Sequence, residues 1–483
     1  MNKNIKIALI VVAVLAVLGG GFFGYQKYQA YYHAHYIVID DAKYDRDITS
    51  LDLSGTGIGE FEKLRELTCL ESLNLRDTGI TAAQYNALAA ALPNCAIRWS
   101  VPFQDSFVDD DIPELSISTI APQDLDTLAY LPQLTAVTVE TLTNYDMIGQ
   151  MQARYPQVDF FYRVELGGTS YSSATDILDL TDPSLEELME RLAYLPQVTT
   201  VTLQGEIPSN EEMLKLMQAY PDIVFSFDFE VFGVKTNSTA EFLDLSEIQM
   251  SGTQEIDAMM PLFYNLTKVD MVHCGISNEE MEALNNRYPD TLFVWTVMIR
   301  SLEVRTDVTE FMPVKYGLTL NNVTARNLRY LTELEALDLG HMWGTRCDFV
   351  AYMPKLKYLI IADCDLDDIT PLTGLTNLVF LELFICDFTD YTPLTTLTGL
   401  EDLNISYTYG DPYILTQMTW LKRLWFAQTP GIAMDETAKQ ALRDALPNTE
   451  LCFVSKSATG AGWRYGQHYF DMRDAFGMSY MFG

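Results

Sequence analysis

Positive charge is scarce in this chain. Its 483 residues include 31 lysines and arginines against 66 acidic residues, a formal net charge of −35. A surface of that sign repels phosphate, and no basic stripe interrupts it, which argues against a nucleic-acid partner. Solvation of a large exposed surface accounts for the acidity, with a cationic partner or scattered calcium contacts as the other expectation. Cysteine is sparse and odd in number, at seven. None stands in a CxxC pair, so no disulfide framework is implied. The five histidines are scattered; His33 and His35 form an HxH, but no further ligands lie near them in the sequence. No nucleophile elbow, P-loop, HExxH or GxGxxG stands in a usable context. Aspartate pairs abound, yet nothing marks one member as acid and the other as base. A non-enzyme without metal or cofactor is expected.

Charge is also missing from one early stretch, and there the absence is informative. In "MNKNIKIALIVVAVLAVLGGGFFGY", Lys3 and Lys6 precede a run from Ile7 to Tyr25 that carries no charged residue. At 1.5 Å per residue, such a run just spans a hydrocarbon core of roughly 30 Å. A secretory signal peptide is the rival reading, but it is shorter and closes on a small-x-small cleavage site. Here Gly19, Gly20 and Gly21 lead into Phe22 and Phe23, then into Tyr25, Tyr28, Tyr31 and Tyr32, which suit a membrane interface. The expected layout is a short cytoplasmic stub over 1–6, a transmembrane signal anchor over 7–25 and a juxtamembrane linker over 26–47. An uncleaved anchor leaves the C-terminal mass on the outer side of the cell membrane, and cleavage releases it as a secreted protein. The stub is too short to signal alone.

Beyond the anchor the chain repeats itself. "YLIIADCDLDDITPLTGLTNLVFLELFIC" reads L-x-x-L-x-I-x-x-C at Leu356, Leu359, Ile361 and Cys364, then L-x-x-L-x-L-x-x-C at Leu378, Leu381, Leu383 and Cys386. Two more copies follow at Leu400, Leu403, Ile405, Thr408 and at Leu421, Leu424, Phe426, Thr429, in steps of 22, 22 and 21 residues. This is the leucine-rich-repeat pattern. Cys364 and Cys386 hold the inward ladder position that Thr408 and Thr429 hold in later copies and Cys274 in an earlier one. A small, weakly polar side chain fits the turn there, so a disulfide between them is not expected although the spacing is close enough. A longer period precedes these copies. Pro93, Pro156, Pro221 and Pro289 are 63, 65 and 68 residues apart, and each long unit holds three turns of the coil. The third turn, as in "YPDIVFSFDFEVFG", reads as a strand through Val224, Phe227, Phe229 and Val231. Helices such as "NEEMLKLMQAYP" fill the convex side.

The fold expected is an α/β leucine-rich-repeat solenoid over 48–454, with a parallel concave sheet and with helices and 3-10 turns on the convex side. Units of ~64 residues run to about 314, and ~22-residue repeats occupy 315–430. With "DITPLTGLTNL" and "DYTPLTTLTGL" in place, the late repeats resemble those of bacterial internalin-type surface proteins. That resemblance implies a surface protein that binds partners and carries no catalytic residues.

Outward positions change along the chain. Early copies present Ser50, Asp52, Ser54, Ser72, Asn74, Arg76, Thr200, Thr202 and Gln204. Late copies present Tyr358, Ile360, Phe380, Glu382, Phe384, Asn404, Arg423 and Trp425, with Asp402 and Ser406 among them. Aromatics and arginine dominate interfaces, so those eight form the candidate ligand-binding patch. Alternatively they pack on one another, or beneath the C-terminal segment 455–483. That segment, "GAGWRYGQHYFDMRDAFGMSYMFG", carries Trp463, Tyr469, Phe470, Phe476, Tyr480, Met481 and Phe482. It reads either as the cap that an open solenoid end needs or as a tail that docks a partner. If tail and patch meet, the patch is autoinhibited or structural. "DCDLDD" lacks the glycine and distal glutamate of a calcium loop, and turn carboxylates account for it. Recognition of an extracellular protein, peptide or glycan through the concave face is therefore expected. A self-associating cell-envelope scaffold is the alternative.

Overall fold

A computed structural model describes residues 3–427 and 434–478. Thr429, Tyr480, Met481 and Phe482 lie outside the described residues. Contacts divide the chain into two compact units, 1–225 and 226–483.

The first unit opens with a helix over Lys3–His35, which runs past the expected end of the anchor at Tyr25 and into the expected linker. Within Leu9–His35 the most apolar 18-residue window has a mean hydropathy of 2.0, and that window is not buried against protein. The rest of the expected linker is folded as well. Tyr36–Ile39 and Ala42–Asp45 pair antiparallel. The Asp40 carboxylate accepts from the Gly59 and Glu60 amides at 2.8 and 2.9 Å, and Lys63 Nζ donates to the Val38 carbonyl at 2.9 Å. The hairpin therefore covers the first repeat.

Parallel strands follow in register: Ser50–Asp52, Ser72–Leu75 and Ala96–Phe103, then Glu114–Ile117, Ala136–Val139 and Asp159–Leu166. Their inward leucines and valines exclude water together, because no single strand can bury its own. Two helices of the first unit begin where the sequence supplies a capping box. Thr81 with Gln84 opens Ala82–Ala91, and Ser209 with Glu212 opens Asn210–Ala219. They stop where Pro93 and Pro221 bar the preceding residue from helical backbone.

One feature was not expected. The last strand of each long unit turns back on itself: Ala96–Phe103 pairs antiparallel with Ser106–Asp109, and Asp159–Leu166 with Thr169–Ser172. In the second unit Asp228–Val231 pairs in this way with Val234–Asn237, and Thr296–Ile299 with Leu302–Arg305. Gly167 and Gly168 (φ 57° and 71°), and Phe232 and Gly233 (φ 51° and 81°), make turns with two left-handed residues, which match the twist of the flanking strands. The strand expected through Phe227 is broken there, into Val224–Ser226 and Asp228–Val231.

The second unit contains a sheet of seven parallel strands: Glu310–Phe311, Ala336–Asp338, Tyr358–Ile360, Phe380–Glu382, Asp402–Asn404, Arg423–Trp425 and Glu450–Cys452. Leu337, Leu359, Leu381, Leu403 and Leu424 are in register across it and are fully buried. Between strands the chain returns through 3-10 turns, among them Arg326–Tyr330, Asp348–Tyr352, Thr370–Leu372 and Thr392–Thr396. Proline at the start of the last two costs no hydrogen bond, and Asp368 and Asp390 accept from the amides of Thr370 and Thr392 at 2.8 Å. In "DCDLDD", Asp368 thus caps a turn, and Asp363 accepts from His341 Nδ1 at 2.7 Å. Cys364 and Cys386 are free thiols whose Sγ donates to the Leu339 and Ile361 carbonyls of the preceding repeat, at 3.4 and 3.3 Å. Thr408 fills the same position but bonds the Ile405 carbonyl of its own repeat, at 2.7 Å.

Candidate functional site

The sheet face away from the leucines carries two rows of side chains. Ala336, Tyr358, Phe380, Asp402 and Arg423 are in register in one, and Asp338, Ile360, Glu382, Asn404 and Trp425 in the other. The eight residues proposed from sequence are therefore brought together, with Phe384 just beyond its strand. They are not open to solvent. Ile360, Phe380, Glu382, Phe384, Asn404 and Trp425 are buried, and Tyr358 and Arg423 are partly buried. The C-terminal segment lies on them: Ala458, Trp463, Tyr469, Met472 and Phe476 join the same apolar cluster as Ile360, Phe380, Phe384 and Trp425. Of the alternatives left open by sequence, tail and patch do meet.

The contact is specific. Trp463 stacks on Phe380 at 5.3 Å between ring centroids (27° between planes) and lies 5.3 Å from Trp425. The Arg423 guanidinium lies against both indoles, at 4.7 and 4.8 Å. Donors from the sheet take up backbone carbonyls of the segment. Asn404 Nδ2 donates to Ala458 and Trp425 Nε1 to Gly460, each at 3.0 Å. Arg423 Nη2 donates to Gly462 at 3.1 Å and to Trp463 at 2.9 Å. Farther along, Lys315 Nζ donates to the Phe476 carbonyl at 2.8 Å. Gly466 passes so close to Arg423 and Asp402 that a Cβ there would strike the guanidinium.

Acidic and basic side chains face each other across the contact. The sheet contributes Asp338, Glu382 and Asp402, and the segment Arg464, His468 and Arg473. Glu382 is fully buried; its Oε1 accepts from Trp463 Nε1, while its Oε2 has no hydrogen bond and lies 3.7 Å from Arg464. Burial pushes its carboxyl up to about 7, against the pull of Arg464 and Trp463. Burial also raises Asp402, opposed by Arg423 and by His468, whose ring lies 3.3 Å from Asp402 and from Glu401. Asp338 is likewise raised by burial. A hollow of about 350 Å³ remains beneath the C-terminal helix Gln467–Ala475, lined by Met312, Asp338, Phe384, Arg464, Met472 and Phe476 among others.

Sequence reasoning missed Asp338 and the basic side chains of the segment. The run Gly460-Ala461-Gly462 was legible as part of a Ser/Gly-containing link, "SKSATGAG", but not that the sheet takes up its carbonyls. The one available signal was that run of small residues just before the tryptophan. The rest depends on tertiary contact.

No protein-family model matches the chain, and no curated protein does. Among solved structures it is similar to an internalin, InlF, of Listeria monocytogenes: 14% identity over 86% of this chain and 84% of that one, TM-score 0.24. A leucine-rich-repeat protein of Leptospira interrogans is 16% identical over 84% of this chain and 96% of that one, TM-score 0.25. The functional domain of InlJ from Listeria monocytogenes, described as including a cysteine ladder, is 12% identical over 79% and 74%, TM-score 0.18. By its own strand register and buried leucines, the chain has a leucine-rich-repeat fold.

Proposed function

We propose that this is a membrane-anchored, extracytoplasmic recognition protein without catalytic activity. It takes hold of a polypeptide on the sheet face formed by Tyr358, Ile360, Phe380, Glu382, Phe384, Asn404, Arg423 and Trp425, and the chain's own segment 458–476 is the resident occupant that a partner displaces. One observation carries this reading. Asn404, Trp425 and Arg423 donate to four successive or near-successive backbone carbonyls of an irregular segment. Carbonyls are common to every polypeptide, so a face that captures them favours protein or peptide over glycan. The apolar helix Leu9–His35 supports the anchor.

The test uses the full chain in detergent micelles with a specific protease site placed at Val454–Lys456, where Val454 is 80% exposed. After cleavage and washing at high salt, a labelled peptide of residues 457–478 is added. Saturable rebinding, lost in N404A/R423A, is expected. A cleaved chain that keeps its fold by circular dichroism yet takes up no peptide overturns the reading.

A further inference from the structure

In a chain of net charge −35, three arginines share one hollow on the side of the second unit that carries the 3-10 turns. Arg326 and Arg329 belong to the turn Arg326–Tyr330, where a spacing of three aligns side chains on one face. Arg346 comes from one repeat later, just ahead of Asp348–Tyr352. With Asn322, Val323, Phe349, Tyr352 and one carboxylate, Asp348, they line an open hollow of about 460 Å³. Like charges gathered in this way repel one another, so their counter-charges matter.

Those counter-charges are incomplete. Among the described residues no carboxylate lies within ion-pair distance of Arg326. Arg346 has only Asp348 and Asp367, at 3.9 and 3.8 Å, the outer limit of a pair. Arg329 alone has a close partner, Glu282 at 2.7 Å, and its Nε is nonetheless buried without a hydrogen bond. The Arg329 guanidinium lies 4.3 Å from the centre of the Tyr352 ring, which forms an aromatic wall beside it. Val323, 71% exposed, extends that wall.

We propose that this hollow is an oxyanion site, taking a phosphate or carboxylate borne on a compact apolar or aromatic skeleton. Guanidinium forks from Arg326 and Arg346 bind the oxyanion bidentately, and Tyr352, Phe349 and Val323 receive the skeleton. The site is separate from the sheet face and independent of what binds there.

The experiment titrates the full chain in detergent micelles with phenyl phosphate, inorganic phosphate and benzoate at constant ionic strength. Calorimetry on the wild type and on R326A/R346A provides the readout, and circular dichroism checks the fold. Saturable binding of phenyl phosphate with a Kd below about 1 mM, weakened about tenfold or more in R326A/R346A, is expected. Tyr352→Leu weakens phenyl phosphate and leaves inorganic phosphate unchanged. Benzoate binding as tightly supports a site open to both oxyanions, and weaker benzoate binding supports one that selects phosphate. No saturable binding of any probe, or equal binding by wild type and R326A/R346A, overturns the proposal.

Discussion

At the scale of the residue, the two cysteines that end "YLIIADC" and "FLELFIC" show how far a pattern can be read. Their spacing gave the repeat length and their inward position, and both follow from period alone. What period cannot show is which carbonyl the thiol meets, and that differs between Cys364 and Thr408. Burial pushes the Cys364 thiol up to about 12 and Cys386 up to about 11. Since the thiolate is the nucleophile, iodoacetamide at pH 8 is expected to modify exposed Cys69 in the native chain and to spare both ladder thiols until denaturant is added. Mass spectrometry of the peptides reads this directly. Glu382 makes a second residue-scale case. Its carboxyl is ordinarily near 4.5 and is raised to about 7 when folded. Between those values the folded chain keeps a proton that the unfolded chain has lost. Its contribution is therefore fully present below about 4.5 and is lost as pH rises through about 7, by an amount on the order of 1–3 kcal/mol. Asp338 on the sheet and Arg464 on the segment are the charges that face it. Hydrogen exchange of residues 463–475, corrected for intrinsic rates, is expected to be slower at pH 5.5 than at pH 7.5. Glu382→Gln keeps an acceptor for the Trp463 indole and should flatten that difference.

At the scale of the element, what the sequence made legible was what each strand must bury. The leucines fixed the strands of the second unit and the side of the sheet they face, because burial of apolar surface is a local demand repeated in each copy. The outward aromatics were legible as a patch, and the segment as something that covers or docks. That the one lies on the other could not be read, since Trp463 and Phe380 are far apart in sequence and their contact is tertiary. The hairpin at Phe232-Gly233 was missed for another reason: a strand that alternates correctly hides a turn when the turn residue is itself aromatic, as Phe232 is. Two substitutions separate core from cover. Leu381→Ala removes a fully buried side chain from the shared core and is expected to cost about 2–5 kcal/mol in the global denaturation of the second unit. Trp463→Ala empties the stack on Phe380 and Trp425 and should instead free the segment. Limited proteolysis near 453–460 is then faster, while the main unfolding transition moves little.

At the scale of the whole molecule, the anchor and the repeats make separate claims. On the proposed reading, Lys3 and Lys6 on the short side of the apolar run orient the chain, and Cys69 lies in the first repeats beyond it. A membrane-impermeant maleimide applied to intact cells is expected to label Cys69, with the chain remaining in the membrane pellet after alkaline extraction. Labelling only after lysis contradicts the orientation, and release into the supernatant contradicts the anchor.

The hairpins that close each long unit have a mechanical consequence. A hydrogen-bonded ladder transmits load from strand to strand, and an antiparallel return strand interrupts it. In the first unit the ladder therefore comes in lengths such as 50–109 and 114–172, whereas the second unit includes one unbroken block from 310 to 452. Pulled from its C-terminal end against the anchor, the hairpin-bounded modules are expected to yield singly. Each releases roughly 200 Å of chain at ~3.4 Å per residue, while the seven-strand block resists as one piece. If the proposed anchor tethers the chain at one end, such segmentation is expected to act as a shock absorber.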